Sequence, residues 1–172
     1  TTFGTNGIVL ISTTSNTSHQ PGAGYADFRD AFTTLDITSQ GKLLLAGSVA
    51  GDYWSVVRLL DDGALDSTFE GDGKKIFQVG PTPAGFQNEY AFGIRSLPAG
   101  GIVVAGQTDN YVGGGVGSTD AAVVRLQENG QFDSSFGNNG VATVGGEENN
   151  DFFNGFSIDE TGRVYVAYNV HG

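Results

Sequence analysis

An internal repeat constrains this chain more than any other feature of its sequence. The stretch Asp66–Gly73 (DSTFEGDG) recurs as Asp133–Gly140 (DSSFGNNG), and a shortened copy opens the chain at Thr1–Gly7. The phenylalanine of one copy lies 66 or 67 residues after that of the previous copy, at Phe3, Phe69 and Phe136. Such regular spacing is typical of a copied structural unit, so the number of repeats is a better guide to the architecture than chain length.

The composition favours a folded, turn-rich β protein and argues against several partners. Glycine occurs 28 times, whereas proline and charged residues are sparse. The 19 acidic and 8 basic residues give a net charge of −11, which disfavours nucleic acid and anionic membranes because phosphate binding needs clustered Lys and Arg. Cysteine is absent, which excludes a disulfide framework and a thiolate metal site. Since no run of about 18 apolar residues is present, membrane insertion is not expected.

Each unit contains a hairpin of constant length. An acid opens the hairpin, at Asp30, Glu89 and Asp151, and an alanine of the second strand follows 16 residues later in all three copies. The turn between the strands contains a glycine, which supplies the positive φ that such turns need. The second strand is the most apolar run of its unit, which predicts a strand covered on both faces. The hairpin strands are predicted at 31–37 and 42–47, at 90–96 and 101–106, and at 152–158 and 163–168.

Further strands and two kinds of connection complete the unit. A third strand is predicted at 54–60 and 121–127, and a fourth at 7–12, 74–78 and 141–144. The step from arginine to phenylalanine is 11 residues both times, from Arg58 to Phe69 and from Arg125 to Phe136, so this connection is fixed. Other connections differ in length from unit to unit, and these variable loops are predicted at 13–29, 48–53, 79–88, 107–120 and 145–150.

Four short strands in a unit of about 66 residues predict an all-β fold made of β-propeller blades, each a four-stranded antiparallel sheet. The eleven predicted strands fall into blade pieces at about 1–12, 30–79, 89–144 and 151–172, within one repeat region that spans 1–172. Because a propeller closes with 4 to 8 blades, we expect a partial ring of about three blades from a larger propeller. The chain begins without Met and inside the repeated motif, so we also expect the natural start elsewhere.

The repeated motif resembles the delta-60 repeat of bacterial secreted and surface β-propellers. The resemblance rests on Lys42–Gly47 (KLLLAG), Val56–Leu59 (VVRL) and Leu65–Gly73, with their counterparts in the next unit. It departs from the pattern at Glu70, where glycine is usual, and at 99–101, where Asp-Gly-Lys is usual. The element order is also similar to NHL-type blades, which implies that the strand at 31–37 is innermost and the strand at 74–78 outermost.

This strand order implies that the variable loops share one face, which is the candidate binding face. The acids Asp30, Glu89 and Asp151 would stand on it at the channel mouth, one per blade. We expect each carboxylate to accept hydrogen bonds from backbone N–H groups of its own blade. A shared Ca²⁺ ion is the alternative, since Ca²⁺ takes oxygen ligands. Aromatic residues of the variable loops are further ligand-binding candidates, namely Tyr25, Phe28, Phe86 and Tyr111.

A second set of residues is predicted to be structural. An arginine inside an apolar strand needs a partner, and an aspartate follows each one eight residues later. The phenylalanines at constant distance from these arginines predict one repeated packing niche. The structural set is Phe3, Phe69, Phe136, Arg58, Arg125, Asp66 and Asp133.

Two functional hypotheses follow from the sequence. The first is a non-enzymatic propeller module of a bacterial secreted or cell-surface protein, which binds or displays an unknown protein or glycan ligand. The alternative is a propeller enzyme, a metal-dependent lyase or hydrolase with its site at the channel mouth. No catalytic residue or metal ligand is assigned, because His19 and His171 have no partner histidine at metal-ligand spacing. The remaining blades, or a second copy of the chain, are expected to cover the open edges.

Overall fold

The chain folds into antiparallel sheets that repeat along the sequence. A computed structural model describes residues 2–12, 31–49, 53–80, 89–111, 117–145 and 150–170. These residues contain ten strands and no helix. The predicted all-β class is therefore confirmed.

The strands form two complete four-stranded sheets and one pair. Blade 1 consists of β1 (Ala31–Ile37), β2 (Leu43–Val49), β3 (Tyr53–Leu59) and β4 (Lys74–Phe77), hydrogen-bonded in that order. Blade 2 consists of β5 (Tyr90–Ser96), β6 (Ile102–Tyr111), β7 (Gly117–Leu126) and β8 (Val141–Val144), in the same order. Blade 3 contributes β9 (Asp151–Ile158) and β10 (Val164–Val170). All pairings are antiparallel, and the repeated meander is that of β-propeller blades.

The turns of the first hairpins form as the sequence predicts. Each turn has a glycine with positive φ, which is 78° at Gly41, 94° at Gly100 and 83° at Gly162. L-residues with a Cβ rarely adopt this conformation, so glycine at these positions allows the short turn. The predicted role of the turn glycines is confirmed.

The apolar cores lie between consecutive blades. Blade 1 packs Leu44, Trp54 and Phe69 against Ile94 and Val104 of blade 2. On the opposite face of blade 2, Val103, Ala105 and Val123 pack against aromatic and aliphatic residues of blade 3, which are Phe153, Phe156, Ile158, Val164 and Val166. Successive residues of β6 therefore belong to different cores, which explains why this strand is apolar without alternation.

The predicted strand at residues 7–12 is wrong. Within residues 2–12 the only β pairing described is an isolated bridge between Thr5 and Ile8. In the repeat this segment corresponds to β4 and β8, which are the edge strands of their sheets. No described strand lies beside it to complete a ladder, and backbone groups without a ladder must find other partners. The segment instead lies on a turn of blade 1, where Gly4 N donates to Asp62 O at 2.7 Å.

The variable loop predicted at 107–120 is shorter than expected. The β6 strand continues to Tyr111 and β7 already begins at Gly117. Thr108 pairs with Asp120 and Asp109 pairs with Thr119 in the extended ladder. Polar side chains occupy this extension, and a search for apolar runs therefore missed it.

We predict that Phe69→Ala lowers the free energy of unfolding by about 3–5 kcal/mol, because the ring is completely buried and its removal leaves a cavity. The matched control is Phe136→Ala, which changes the repeat-equivalent ring that is only half-buried in this chain. Chemical denaturation of both variants measures the difference. If both variants lose the same free energy of unfolding, or if Phe69→Ala loses none, the Phe69 ring is not packed more tightly than the Phe136 ring.

Candidate functional site

The antiparallel order gives each blade two ends with different properties. The hairpin turns and the arginine-to-phenylalanine connections lie at one end, which we call the fixed end. The connections from the second to the third strand, and from one blade to the next, attach at the other end, which we call the variable end. The loops that differ in length therefore share one end, as expected.

A buried ion pair organises the fixed end of blade 1. Arg58 Nε donates to Asp66 Oδ2 at 2.7 Å, and both side chains are 3% exposed. The guanidinium also donates to Thr68 Oγ1 at 2.8 Å and lies 5.0 Å from the centre of the Phe69 ring. A buried guanidinium needs such partners, because an unpaired charge in the interior is costly.

The same ion pair joins blade 1 to blade 2. Arg58 Nη1 donates to the backbone carbonyl of Glu128, which belongs to the fixed end of blade 2. One residue further along that turn, Asn129 O accepts a hydrogen bond of 3.0 Å from Glu70 N. Earlier in the chain, Phe3 lies against Gly63 in the corresponding turn of blade 1. The fixed connection of one blade is thus fastened to the next blade.

Blade 2 repeats this arrangement in a more exposed form. Arg125 Nε donates to Asp133 Oδ2 at 2.6 Å, and both side chains are 24% exposed. Arg125 also donates to Ser135 Oγ at 2.8 Å and lies 5.0 Å from the centre of the Phe136 ring. The same atoms of arginine, aspartate and the hydroxyl residue form these hydrogen bonds in both blades, and the guanidinium lies at the same distance from the phenylalanine ring. We therefore regard these residues as part of the scaffold.

The environment of Asp66 keeps its carboxylate ionised. Burial alone would raise the pKa, but hydrogen bonds from Thr68 and Lys42 and the charge of Arg58 outweigh it and hold the pKa of Asp66 well below its usual range. The Lys42 ammonium lies 2.9 Å from Asp66 Oδ2. Gly101 takes the place of Lys42 in blade 2, so Asp133 lacks this second cation.

Of the three predicted channel-mouth acids, Glu89 is described most fully. Its side chain is completely buried at the variable end of blade 2. Oε1 accepts hydrogen bonds from Gly80 N, at 3.1 Å, and from the Thr108 hydroxyl. Oε2 is buried and has no hydrogen-bond partner among the described residues. Glu89 therefore links the end of blade 1 to the extended hairpin of blade 2.

Burial dominates the ionisation of Glu89. Desolvation raises its pKa to about 7, against the opposing effect of the hydrogen bonds from Thr108 and Gly80. The nearby charge of Asp109 raises the pKa further. Glu89 is consequently neutral in a large fraction of molecules near pH 7.

Other acids lie near the same end, but the described residues do not gather into a metal site. Asp151 begins β9, and Asp109 and Asp120 belong to the extended hairpin; all three side chains are buried. Within the described parts of the chain, no group of three or more His, Cys, Asp or Glu residues has a geometry that could hold a metal ion. Because Asp30 lies outside the described residues, a shared ion for Asp30, Glu89 and Asp151 stays a prediction.

Several candidates fall outside the described residues. Asp30, Tyr25, Phe28 and Phe86 are among them, and so are both histidines, His19 and His171. Tyr111 is described only as the last residue of β6. Their roles remain sequence-based predictions.

Sequence reasoning missed a groove between the first strands of blades 2 and 3. The groove has a volume of about 460 Å³, and residues of β5 and β9 form most of its lining, with Thr34 of β1 beside them. Its main side chains are Phe92, Arg95, Phe153, Asn154 and Phe156. We call it the first-strand groove. The bulky aromatic residues at the start of each hairpin were a signal in the sequence, but strand burial explained them equally well.

Comparison with known proteins supports the propeller architecture. Residues 39–69 and 99–136 match the family model of a domain of unknown function, DUF5122, which is described as a beta-propeller. Each matched segment extends from the hairpin turn to the repeated phenylalanine, so it contains the second and third strands and the fixed connection. No curated protein matches the chain. Together with the four-stranded sheets, this similarity defines the chain as an all-β protein built of β-propeller repeats.

We predict that Glu89 makes the stability of the fold fall as the pH rises. Its carboxyl has a pKa of 4.5 in an unfolded chain and about 7 in the folded one, so the folded state binds more protons between these values. The free energy of unfolding should therefore decrease through this window, by about 3 kcal/mol at most. Glu89→Gln removes the titration, and its stability relative to the parent should rise from pH 5 to pH 8.

Chemical denaturation at several pH values measures this difference. Glu160→Gln is the control, since it makes the same chemical change at an exposed position. Its stability should follow that of the parent across the pH range. If Glu89→Gln also follows the parent, Glu89 is not held in its neutral form by burial.

Proposed function

We propose that this chain is a non-enzymatic β-propeller module that binds a protein or glycan ligand at its variable end, within a bacterial secreted or cell-surface protein. The observation that carries the proposal is the difference between the two ends of the blades. Contacts within the scaffold occupy the fixed end, where Arg58 and Glu70 reach the next blade. At the variable end the connections differ in length between blades, although the strands that they join are paired in the same order in each blade.

The variable end also differs between blades in strand length. The β6 and β7 strands have 10 residues each, whereas β2 and β3 have 7. The hairpin of blade 2 therefore projects further than that of blade 1, by about 10 Å at the usual rise per residue. A rigid sheet that holds projecting loops is a common arrangement for ligand recognition.

The proposed partners and cellular location rest on the composition of the chain and on the resemblance of its repeat to that of other propellers. A net charge of −11 disfavours nucleic acid and anionic lipid surfaces as partners. None of the described residues belongs to a helix long and apolar enough to cross a membrane. The secreted or cell-surface location is inferred from the similarity of the repeat to those of bacterial surface propellers.

We also expect further blades or a second copy to cover the outer faces of blades 1 and 3. Leu35 and Ile37 of β1 are each 60% exposed, and Val170 of β10 is 65% exposed. Apolar faces and open strand edges promote pairing with another sheet. Sedimentation velocity of the 172-residue chain should detect association that increases with concentration. A monomer at all concentrations would contradict this expectation.

Attachment of a bulky group at either end tests the binding proposal. The chain has no cysteine, so Val144→Cys at the variable end and Ser134→Cys at the fixed end each create a unique attachment site for a polyethylene glycol chain. Both residues are exposed, and Ser134 is the matched control. On a glycan array and a panel of surface proteins, we expect the chain modified at Ser134 to bind and the chain modified at Val144 to lose that binding.

Equal binding by both modified chains would contradict a ligand site at the variable end. Failure of the unmodified chain to bind any member of either panel would contradict the proposed binding function itself. Melting curves of both modified chains establish that loss of binding does not reflect unfolding.

A further inference from the structure

We propose that the first-strand groove between β5 and β9 binds a sugar ring, which packs against Phe92 and is held at its edge by Arg95 and Asn154. This proposal names a site and a class of ligand for the binding function proposed above. It rests on that function in one respect, namely that the chain binds a ligand. Both strands begin at the variable end, and every described residue that lines the groove belongs to the first strand of a blade.

A bulge repeated in every blade aims one side chain of the first strand out of the ladder. The pairing register shifts between Phe32 and Thr34 in blade 1, and an equivalent shift leaves Phe92 unpaired in blade 2 and Asn154 unpaired in blade 3. Such bulges commonly re-aim a side chain beside a binding site. Two of the three bulged residues, Phe92 and Asn154, line the groove.

Aromatic rings form one wall of the groove. The ring of Phe92 lies 5.8 Å from that of Tyr90 and 6.1 Å from that of Phe153, measured between centroids, with interplanar angles of 20° and 13°. Phe92 is nevertheless 41% exposed. The two neighbouring rings hold Phe92 in place, and its exposed part offers an apolar surface to a ligand.

The rest of the lining is polar and already in place. The Arg95 guanidinium lies 6.0 Å from the centre of the Phe156 ring, and Nη1 donates to Ile94 O at 2.7 Å. These contacts fix the side chain and leave further N–H donors of its five for a ligand. Asn154 adds an exposed amide, which both donates and accepts hydrogen bonds.

The equivalent interface between blades 1 and 2 has hydrogen bonds at these positions instead. There Thr33 Oγ1 donates to Ala91 O at 2.5 Å, and Asp36 Oδ2 accepts from Ser96 N at 2.7 Å and from Ser96 Oγ at 2.9 Å. In the repeat, Phe92 replaces Thr33 and Arg95 replaces Asp36. The groove is therefore produced by substitutions on a conserved backbone arrangement within this chain.

Two strand glycines give the groove its depth. A Cβ on Gly93 would lie 2.3 Å from the Phe156 ring, so glycine is needed there to admit the ring. No atom of the described residues lies within 4 Å of the position of a Cβ added to Gly155, and its backbone does not require glycine through a positive φ. A glycine in a strand interior often marks a bulge, and Gly155 follows the bulged Asn154; its missing side chain leaves this side of the groove unfilled.

A sugar fits this combination of surfaces better than the other ligands that an aromatic groove attracts. An apolar peptide side chain would bury Arg95 and Asn154 without partners, which is costly. A highly charged anion would be repelled by the net charge of −11. A pyranose ring has an apolar face of C–H groups for the Phe92 ring, and its equatorial hydroxyl groups reach the polar rim.

Isothermal titration calorimetry of the 172-residue chain with two defined oligosaccharides tests the proposal. The probes are cellohexaose and chitohexaose, which are both neutral; the acetamido carbonyl groups of chitohexaose add hydrogen-bond acceptors for Arg95. We expect the chain to bind at least one probe. Phe92→Ala should weaken that binding about tenfold or more, whereas Phe92→Tyr, which keeps the ring, should retain it.

A second variant fills the groove from the other side. Gly155→Leu adds a side chain where no atom of the described residues lies within 4 Å of the new Cβ, and it should also weaken binding about tenfold or more. Melting curves confirm that each variant is folded. The groove proposal is overturned if neither probe binds the parent chain, or if Phe92→Ala and Gly155→Leu bind like the parent.

The modified chains described above separate this proposal from the wider one. Loss of oligosaccharide binding on attachment at Val144, with normal binding by Phe92→Ala, would place the ligand at the variable end and exclude the groove. Loss of binding by Phe92→Ala, without an effect of attachment at Val144, would support the groove and contradict a site at the variable loops.

Discussion

The buried guanidinium of Arg58 is the constraint on which the rest of the described structure depends. It lies in the apolar strand β3, where an unpaired charge would be costly, so the chain must supply acceptors around it. Asp66 and Thr68 come from the connection that follows, and the Glu128 carbonyl comes from the next blade. One side chain thereby fixes the course of a connection and the position of its neighbour, and this explains why that connection has the same length in both copies.

A fixed end of this kind leaves the opposite end free to vary. Connections there are not needed to satisfy Arg58 or Arg125, so their lengths can differ while the strands keep their pairing. Glu89 marks where the scaffold stops, since its buried carboxyl joins Gly80 of one blade to Thr108 of the next. Further out at the variable end, differences between the blades change which residues are exposed at the surface and leave the apolar cores unchanged.

The repeat made most of the fold predictable, because its period, glycine turns and apolar runs follow local rules. Residues 7–12 were wrongly predicted as a strand because strand formation depends on a neighbour, which periodicity within a segment does not reveal. The extension of β6 to Tyr111 was missed because its side chains are polar. Among the candidate site residues, Glu89 was predicted to accept hydrogen bonds from the backbone of its own blade, whereas its backbone donor is Gly80 at the end of blade 1. Burial and the charge of Asp109, which is distant in sequence, raise its pKa.

The first-strand groove was hidden from sequence for a further reason. Its lining arises from a bulge, and a bulge shifts which side chains point out of the sheet without leaving a pattern in one strand. The three bulged positions carry Thr33, Phe92 and Asn154, so the backbone feature repeats while its side chain changes. A scaffold that keeps the bulge can therefore place a hydrogen bond at one blade interface and a ligand-sized groove at the next. Specificity in such a repeat protein would reside in the residues that break the repeat, because those that maintain it are already engaged in holding the blades together.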